Sequence, residues 1–256
     1  MEARSHNTGD PVRQLADAHC HAHEYGEAEL GSFRKAFDIV VAVSDDIASS
    51  ERTIELAHRF AFLAPCVGIH PWAIGDGDPG SLARRLEELV RQGEVLCLGE
   101  VGLDLAFVPQ TFEKQLELFR LLLDLARDYD LAVNVHAAKA WRQTLEEISG
   151  KGVRRALFHW YNGPLDVLNE IAARGYLISI NPTARISPKH LEIAKKAPLS
   201  ALTFESDGPY EYRGLRLSPW MIPETINLVA KERELEYSEL IEISKYNITK
   251  FLGLEY

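Results

Sequence analysis

Three cysteines in 256 residues are too few and too scattered to organise the chain. Cys20, Cys66 and Cys97 each sit beside or within a stretch that reads as a strand. Three buried, reduced thiols are therefore expected, with neither a disulfide framework nor a CxxC zinc site. No apolar run approaches the length of a membrane span, and the opening MEARSHNTGDPVRQ is polar, without the apolar segment of a signal peptide. The expectation is a cytoplasmic protein with no membrane partner, in which a flexible tail, 1–13, precedes one domain over 14–256. An excess of positive charge is missing too. The 28 Lys and Arg residues face 38 Asp and Glu, for a formal net charge of −10. That balance excludes a nonspecific nucleic-acid binder held by a broad basic surface, while leaving room for a local basic rim.

What the chain does have is histidine in unusual places. The stretch LADAHCHAHE, residues 15–24, holds three of them and an aspartate at what reads as a strand end. Side chains alternate along a strand, so Asp17, His19 and His21 share one face while Ala18 and Cys20 take the other. Cys20 is thereby turned away from the imidazoles.

Apolar and β-branched runs bounded by turn residues predict strands near 15–20, 38–43, 62–68, 95–99, 131–136, 155–159, 176–180 and 201–205. Helical periodicity predicts helices near 48–60, 81–92, 111–129, 139–149, 164–174, 188–196, 221–234 and 237–251. Continuous apolar strands alternating with helices imply a parallel sheet buried on both faces. Eight such units in a chain of this length fit an α/β protein built as a single (β/α)8 TIM barrel.

Barrels of this kind carry their chemistry at the carboxyl ends of the strands. Here those ends read DAHCH, GIHPW, GEVGLD, NVHAA, FHWYNG and FESDGPY. Five of the nine histidines, His19, His21, His70, His136 and His159, fall there. His6, His58 and His190 lie in the tail or on predicted helices and serve as the comparison set. Each signal alone has a bland alternative: a strand-end histidine is often structural, Glu100 could cap a turn, and Asp207 could open the turn that Gly208 and Pro209 favour. Together, imidazoles and carboxylates from five strand ends would converge on a small barrel mouth. Packing Glu100 and Asp207 there without a cation would be opposed by desolvation and repulsion, so a divalent metal site is the economical reading.

These motifs resemble those of the TatD-like metal-dependent hydrolases, amidohydrolase-related (β/α)8 deoxyribonucleases, and the resemblance runs from Leu15 to Leu252. DAHCH resembles the family's D-x-H-x-H, GIHP its second landmark, and LGEVGLD its glutamate motif, while VNVHAA, FHWYNG and FESDGPY occupy the places of its later segments. The resemblance implies a first metal on His19, His21 and Asp207, a bridging Glu100, and a second metal completed by His136 and His159. It implies Asp17 orienting a ligand imidazole, and His70 and Glu205 in the pocket without touching metal. Zn, Mn or Mg are the ions that suit such ligands. Two metals would activate a water, with Asp207 as proton acceptor and Glu100 as the shared carboxylate.

The chain also departs from the family. Ala138 replaces an arginine, with Lys139 or Arg142 as possible substitutes; Leu217 stands where asparagine is usual; and HWYNG replaces a segment rich in small residues. Trp160 and Tyr161 could stack on an unpaired base or pack under the following loop, and Arg213 and Arg216 could clamp a nucleic-acid backbone or simply be solvated. The leading expectation is a metal-dependent deoxyribonuclease acting on single-stranded DNA or DNA ends. The alternatives are a small-molecule hydrolase of the amidohydrolase or phosphoester type, and a non-catalytic barrel kept for binding or assembly.

Overall fold

The computed structural model describes residues 15–255, so the expected tail at 1–13 lies outside the described residues. Eight parallel strands run in spatial order β1 to β8, each hydrogen-bonded to the next. The chain proceeds β1 (Leu15–Cys20), α1 (Glu27–Phe33), β2 (Phe37–Ala42), α2 (Ile47–Arg59), β3 (Leu63–Val67), α3 (Pro79–Arg91) and β4 (Cys97–Asp104). It continues α4 (Phe112–Asp128), β5 (Ala132–Ala138), α5 (Trp141–Gly150), β6 (Ala156–Phe158), α6 (Leu165–Ala173), β7 (Leu177–Ile180), α7 (Pro188–Lys196) and β8 (Leu202–Phe204). A two-stranded hairpin, β9 (Glu211–Tyr212) and β10 (Leu215–Arg216), precedes α8 (Ile222–Arg233) and α9 (Tyr237–Leu252). The order is that of the expected (β/α)8 barrel.

The ring is closed beyond the end of β8. There Asp207 N–H donates to the His19 carbonyl at 2.9 Å, and His21 N–H donates to the Gly208 carbonyl at 2.9 Å. The seam therefore lies beside the histidines of DAHCH, and the backbone bonds that close the barrel also fix the site. Helix starts follow local chemistry. Asp46 caps α2 by accepting from Ser49 N–H at 2.8 Å, while Ser49 Oγ accepts from Asp46 N–H at 2.9 Å. Every residue of β1, β3, β4, β6, β7 and β8 is buried, as strands covered on both faces require.

Four features differ from the sequence expectation. Helix α1 escaped notice because its seven residues, EAELGSF, are too few to show a period. Strand β4 runs on to Asp104 rather than stopping at 99, since Glu100, Gly102 and Asp104 are poor strand formers in general but here face the interior together. His190, one of the comparison histidines outside the strand ends, is buried. Lastly, two of the three cysteines are not isolated: Cys66 and Cys97 are register partners on β3 and β4 with Cα atoms 4.6 Å apart, so their thiols face each other, while Cys20 is buried apart from them. Register across neighbouring strands is invisible in a 31-residue separation.

Gly102 is needed where it stands. Its φ is +147°, and a Cβ there would overlap the backbone carbonyl of His136 on β5. The close approach of β4 and β5 brings Glu100 against His136.

Candidate metal centre

Alternation along β1 turns Asp17 and His19 inward, and His21 follows just past the strand end. Four ligand atoms from three strand ends then gather. His19 Nε2 lies 3.4 Å from His21 Nε2, 3.3 Å from Glu100 Oε2 and 3.5 Å from Asp207 Oδ1. His21 Nε2 lies 3.6 Å from Glu100 Oε2 and 3.4 Å from Asp207 Oδ1. A tetrahedral zinc with bonds of about 2.0–2.2 Å would have ligand-to-ligand edges of about 3.3–3.6 Å. The spacing matches a tetrahedral cation site.

The other oxygen of Glu100 faces a second group. Oε1 is 2.7 Å from His136 Nδ1 and 2.7 Å from His159 Nε2, and these two nitrogens are 3.4 Å apart. Two of these edges are hydrogen-bond lengths, so a cation here would require Glu100 Oε1 to draw back by a few tenths of an ångström. Glu100 has bridging geometry, and the first group is the better formed.

Hydrogen bonding behind the ring decides which nitrogens can bind a cation. Asn134 Nδ2 donates to the Ala18 carbonyl at 2.9 Å, which leaves Asn134 Oδ1 to accept from His19 Nδ1 at 2.8 Å. Asp104 Oδ2 accepts from His136 Nε2 at 3.0 Å, and Glu205 Oε1 lies 3.6 Å from His159 Nδ1. Each of these imidazoles has its outer nitrogen facing an acceptor, which places the proton outward and aims a lone pair at Glu100. Lone pairs of three histidines facing a carboxylate repel unless a proton or cation lies between them. The donor set fits a metal. His70 has the opposite arrangement: its Nδ1 accepts from Trp72 N–H at 3.1 Å, so its Nε2 carries the proton, which faces His136 Nδ1 at 3.2 Å and Glu100 Oε1 at 3.3 Å. His70 is a donor to this second group.

The charges lean the same way. Burial would raise the Glu100 carboxyl, but the imidazoles of His159, His70 and His19 and the bond from His136 hold it well below the carboxylate range. Burial opposes charge on His159, yet Glu100 and Glu205 raise it well above an ordinary imidazole. The cluster as a whole favours positive charge around Glu100.

His19, His21, Glu100, His136, His159 and Asp207 are brought together as the sequence anticipates. Glu205 is buried behind His159, accepting from Trp160 N–H at 2.9 Å and from Ser179 Oγ at 2.5 Å. Asp17 differs from expectation. Its Oδ1 accepts from the backbone N–H of His19 at 3.1 Å and of Ser206 at 2.9 Å, so it ties β1 to the segment after β8 and touches no imidazole. Burial pushes its carboxyl up to about 7.

Tyr161 is corrected outright as a substrate contact. Its side chain is fully buried against Trp141 and Phe158, and its hydroxyl donates to the Pro164 carbonyl at 2.6 Å. The turn at Trp160, with φ +41°, sends the two aromatics in different directions. Trp160 stays at the rim, edge-on to Tyr210 and Tyr212. Arg213 and Arg216 are exposed on the hairpin, whose turn residues Arg213 and Gly214 both have positive φ. The Arg213 guanidinium lies over the Tyr212 ring. Arg142 is already paired with Asp166 and Glu170 and does not replace the missing arginine; Leu217 is buried.

Sequence reading missed Asn134, Asp104 and the rim pair Trp72 and Phe107. Alternation could have found the first two, since Asn134 shares a face with His136 and Asp104 with Glu100. Asp104 is a hub. Oδ1 accepts from the N–H groups of Ala106 and Phe107 at 2.7 Å each, and Oδ2 accepts from the Trp72 indole at 2.6 Å as well as from His136. Trp72 and Phe107, 45% and 69% exposed, meet edge-on at 5.5 Å on the segments that follow β3 and β4.

Comparison with known proteins bears on the family and the fold. The chain is 28% identical to human Deoxyribonuclease TATDN3, over 92% of this chain and 93% of that protein. It is 27% identical to an uncharacterized metal-dependent hydrolase of Methanocaldococcus jannaschii, over 93% and 96% respectively. The fold superposes on the TatD homolog YJJV of Escherichia coli K12 with a TM-score of 0.86 at 22% identity, covering 96% of this chain and all of that one. A family model for TatD related DNase matches residues 16–253. The chain belongs to the TatD related DNase family.

Proposed function

We propose that the protein is a metal-dependent deoxyribonuclease that hydrolyses phosphodiester bonds of unpaired DNA or DNA ends, with two divalent ions bridged by Glu100. The convergence of outward-protonated imidazoles on the two oxygens of Glu100 carries this reading. His19, His21, Asp207 and Glu100 would hold the first ion, and Glu100, His136 and His159 the second. When bound, such ions lower the pKa of water and neutralise charge on a phosphoryl oxygen.

The chain's own residues do the rest. Asn134, Asp104 and Glu205 fix the three imidazoles in one tautomer and orientation. Asp207, held at φ +52° by the bond from its N–H to the His19 carbonyl, is the proton acceptor for the attacking water. His70 donates to the group around Glu100 Oε1 and steadies the shared carboxylate as charge develops. On the rim, Trp160 and the pair Trp72 and Phe107 offer faces to bases, while Arg213 and Arg216 supply backbone contacts. TATDN3, a relative over nearly the whole chain, is named a deoxyribonuclease, which supports DNA as substrate.

A second reading, a small-molecule phosphoester hydrolase, is favoured by Ala138 and by the engagement of Arg142 with two carboxylates. Metal-reconstituted protein offered both a short single-stranded oligonucleotide and a small phosphodiester separates the two. Cleavage of the oligonucleotide supports the nuclease. Turnover of the small ester, with neither binding nor cleavage of DNA, selects the second reading.

A further inference from the structure

Outside the cluster around Glu100, a separate set of ligand atoms converges at the mouth. One atom each from His21, His23, Glu24 and Asp45 lies within 4.8 Å of the others. Asp45 Oδ2 is 3.2 Å from His23 Nε2 and 3.3 Å from His21 Nδ1. These are the edge lengths found around His19, where the spacing suits a cation.

Tautomers sharpen the point. His23 Nδ1 is 3.2 Å from the Val43 carbonyl, which can only accept, so the proton of neutral His23 is on Nδ1. Its Nε2 lone pair then faces a carboxylate oxygen, acceptor against acceptor. His21 Nδ1, 3.3 Å away on the inner side of the same oxygen, is shielded from solvent and makes no well-aligned hydrogen bond to it. Two acceptors face to face, with a poorly matched buried N–H beside them, are an unfavourable arrangement for a site that holds nothing.

The frame is rigid enough to hold an ion. His23 and Glu24 lie in one short turn (Ala22–Glu24) in which the Glu24 N–H donates to the His21 carbonyl at 3.0 Å. Asp45 is fixed on both sides, its N–H donating to Ser49 Oγ at 2.9 Å and its carbonyl accepting from His70 N–H at 2.8 Å.

We propose that His23 Nε2, Asp45 Oδ2 and the Glu24 carboxylate, with His21 Nδ1 on the inner side, form a further divalent-cation site distinct from the pair bridged by Glu100. One imidazole and two carboxylates suit a borderline ion such as Zn²⁺ or Mn²⁺. Glu24 is exposed and Asp45 half-buried, so this site is open and binds more weakly than the buried one. The His21 ring lies between the two sites and couples them: an ion on Asp45 withdraws that carboxylate's charge from the back of an imidazole aimed at the buried site. Only this coupling rests on the reading given above for the buried cluster.

The test uses Zn²⁺ alone. Crystals soaked in Zn²⁺ are measured at the zinc edge, and metal is counted after equilibrium dialysis for the wild type and His23→Gln. The expected result is an anomalous peak between His23 and Asp45 that His23→Gln removes, together with one bound equivalent, while the peak among His19, His21, Glu100 and Asp207 remains. Circular dichroism and the metal-free melting temperature of the variant should match the wild type. A peak at the buried site with none beside His23, or a count unchanged by His23→Gln, overturns the proposal and leaves the buried centre standing. No peak at either site overturns both.

Discussion

The buried cluster and the exposed rim of this barrel mouth are built on different principles. Around Glu100 three imidazoles have an acceptor behind them: Asn134 behind His19, Asp104 behind His136 and, at 3.6 Å, Glu205 behind His159. Removing any one disturbs the others, because their lone pairs share two oxygens. At the rim, Trp160, Arg213 and Phe107 stand on turns or bends and Arg216 on the short strand β10, and the aromatic and cation contacts of Trp160 and Arg213 are with other rim side chains. On the proposed reading, the chemistry is held by a network, whereas substrate choice rests on separable side chains. Substitutions in the first region should therefore have large, linked effects, and those in the second modest, additive ones.

The largest effect is expected from Asp207→Ala. Loss of the residue proposed as both metal ligand and proton acceptor should lower DNA hydrolysis by about three orders of magnitude or more, and metal analysis should show the first ion gone. Chelation of the wild type should likewise lower the melting temperature, since a ligand at one hundred times its Kd adds about 2.7 kcal/mol to the folded state. Glu100→Gln comes next: it keeps the shape but removes the shared charge, so turnover should fall far more than DNA affinity. Equal losses in both would break the assigned bridging role.

Asn134→Leu probes whether the network reaches beyond the ligands. With His19 no longer oriented, metal affinity should fall by about 10- to 100-fold. An unchanged affinity would mean that the backing groups are merely structural and that the contrast between cluster and rim is false.

How much of this was legible follows the same division. Alternation and strand-end placement exposed the six cluster residues because each lies on a barrel strand or just beyond its end, where direction is dictated by the backbone. The rim was half legible: Tyr161 went astray because the positive φ of Trp160 reverses the chain locally, and no periodicity announces a single-residue reversal. Asp104 was overlooked because GEVGLD reads as a strand end, whereas it continues β4 and puts Asp104 on the face that carries Glu100. That Cys66 and Cys97 face each other depends on register, which only the assembled sheet supplies.

Rim predictions are smaller. Replacing Arg213 and Arg216 together by alanine should weaken DNA binding and reduce the salt slope by about 1.4, at about 0.7 per single-strand phosphate contact. Turnover of a small phosphodiester should scarcely change. Trp160→Ala should weaken single-strand binding by about 1–3 kcal/mol with little sequence dependence. If the arginine variant loses both activities equally, the hairpin shapes the metal pocket and the separability of the rim fails.

An effect of another kind, on stability rather than activity, is expected at a residue that belongs to neither region. His190 is buried beside Thr183, and burial holds its imidazole down at about 3. As pH falls below about 6.5, the unfolded chain binds a proton that the folded chain refuses, so stability is lost between there and about 3. The slope of wild-type stability against pH over this window should exceed that of His190→Leu by up to about 1.4 kcal/mol per pH unit. Equal slopes in chemical denaturation would show that His190 is not held neutral.

The most direct test of the central claim is the initial rate of single-stranded DNA cleavage by metal-stripped protein as Mn²⁺ is added. Wild type should rise from no activity to a plateau while Asp207→Ala stays flat. A flat wild-type trace, from protein shown by metal analysis to have bound the ion, would contradict the account.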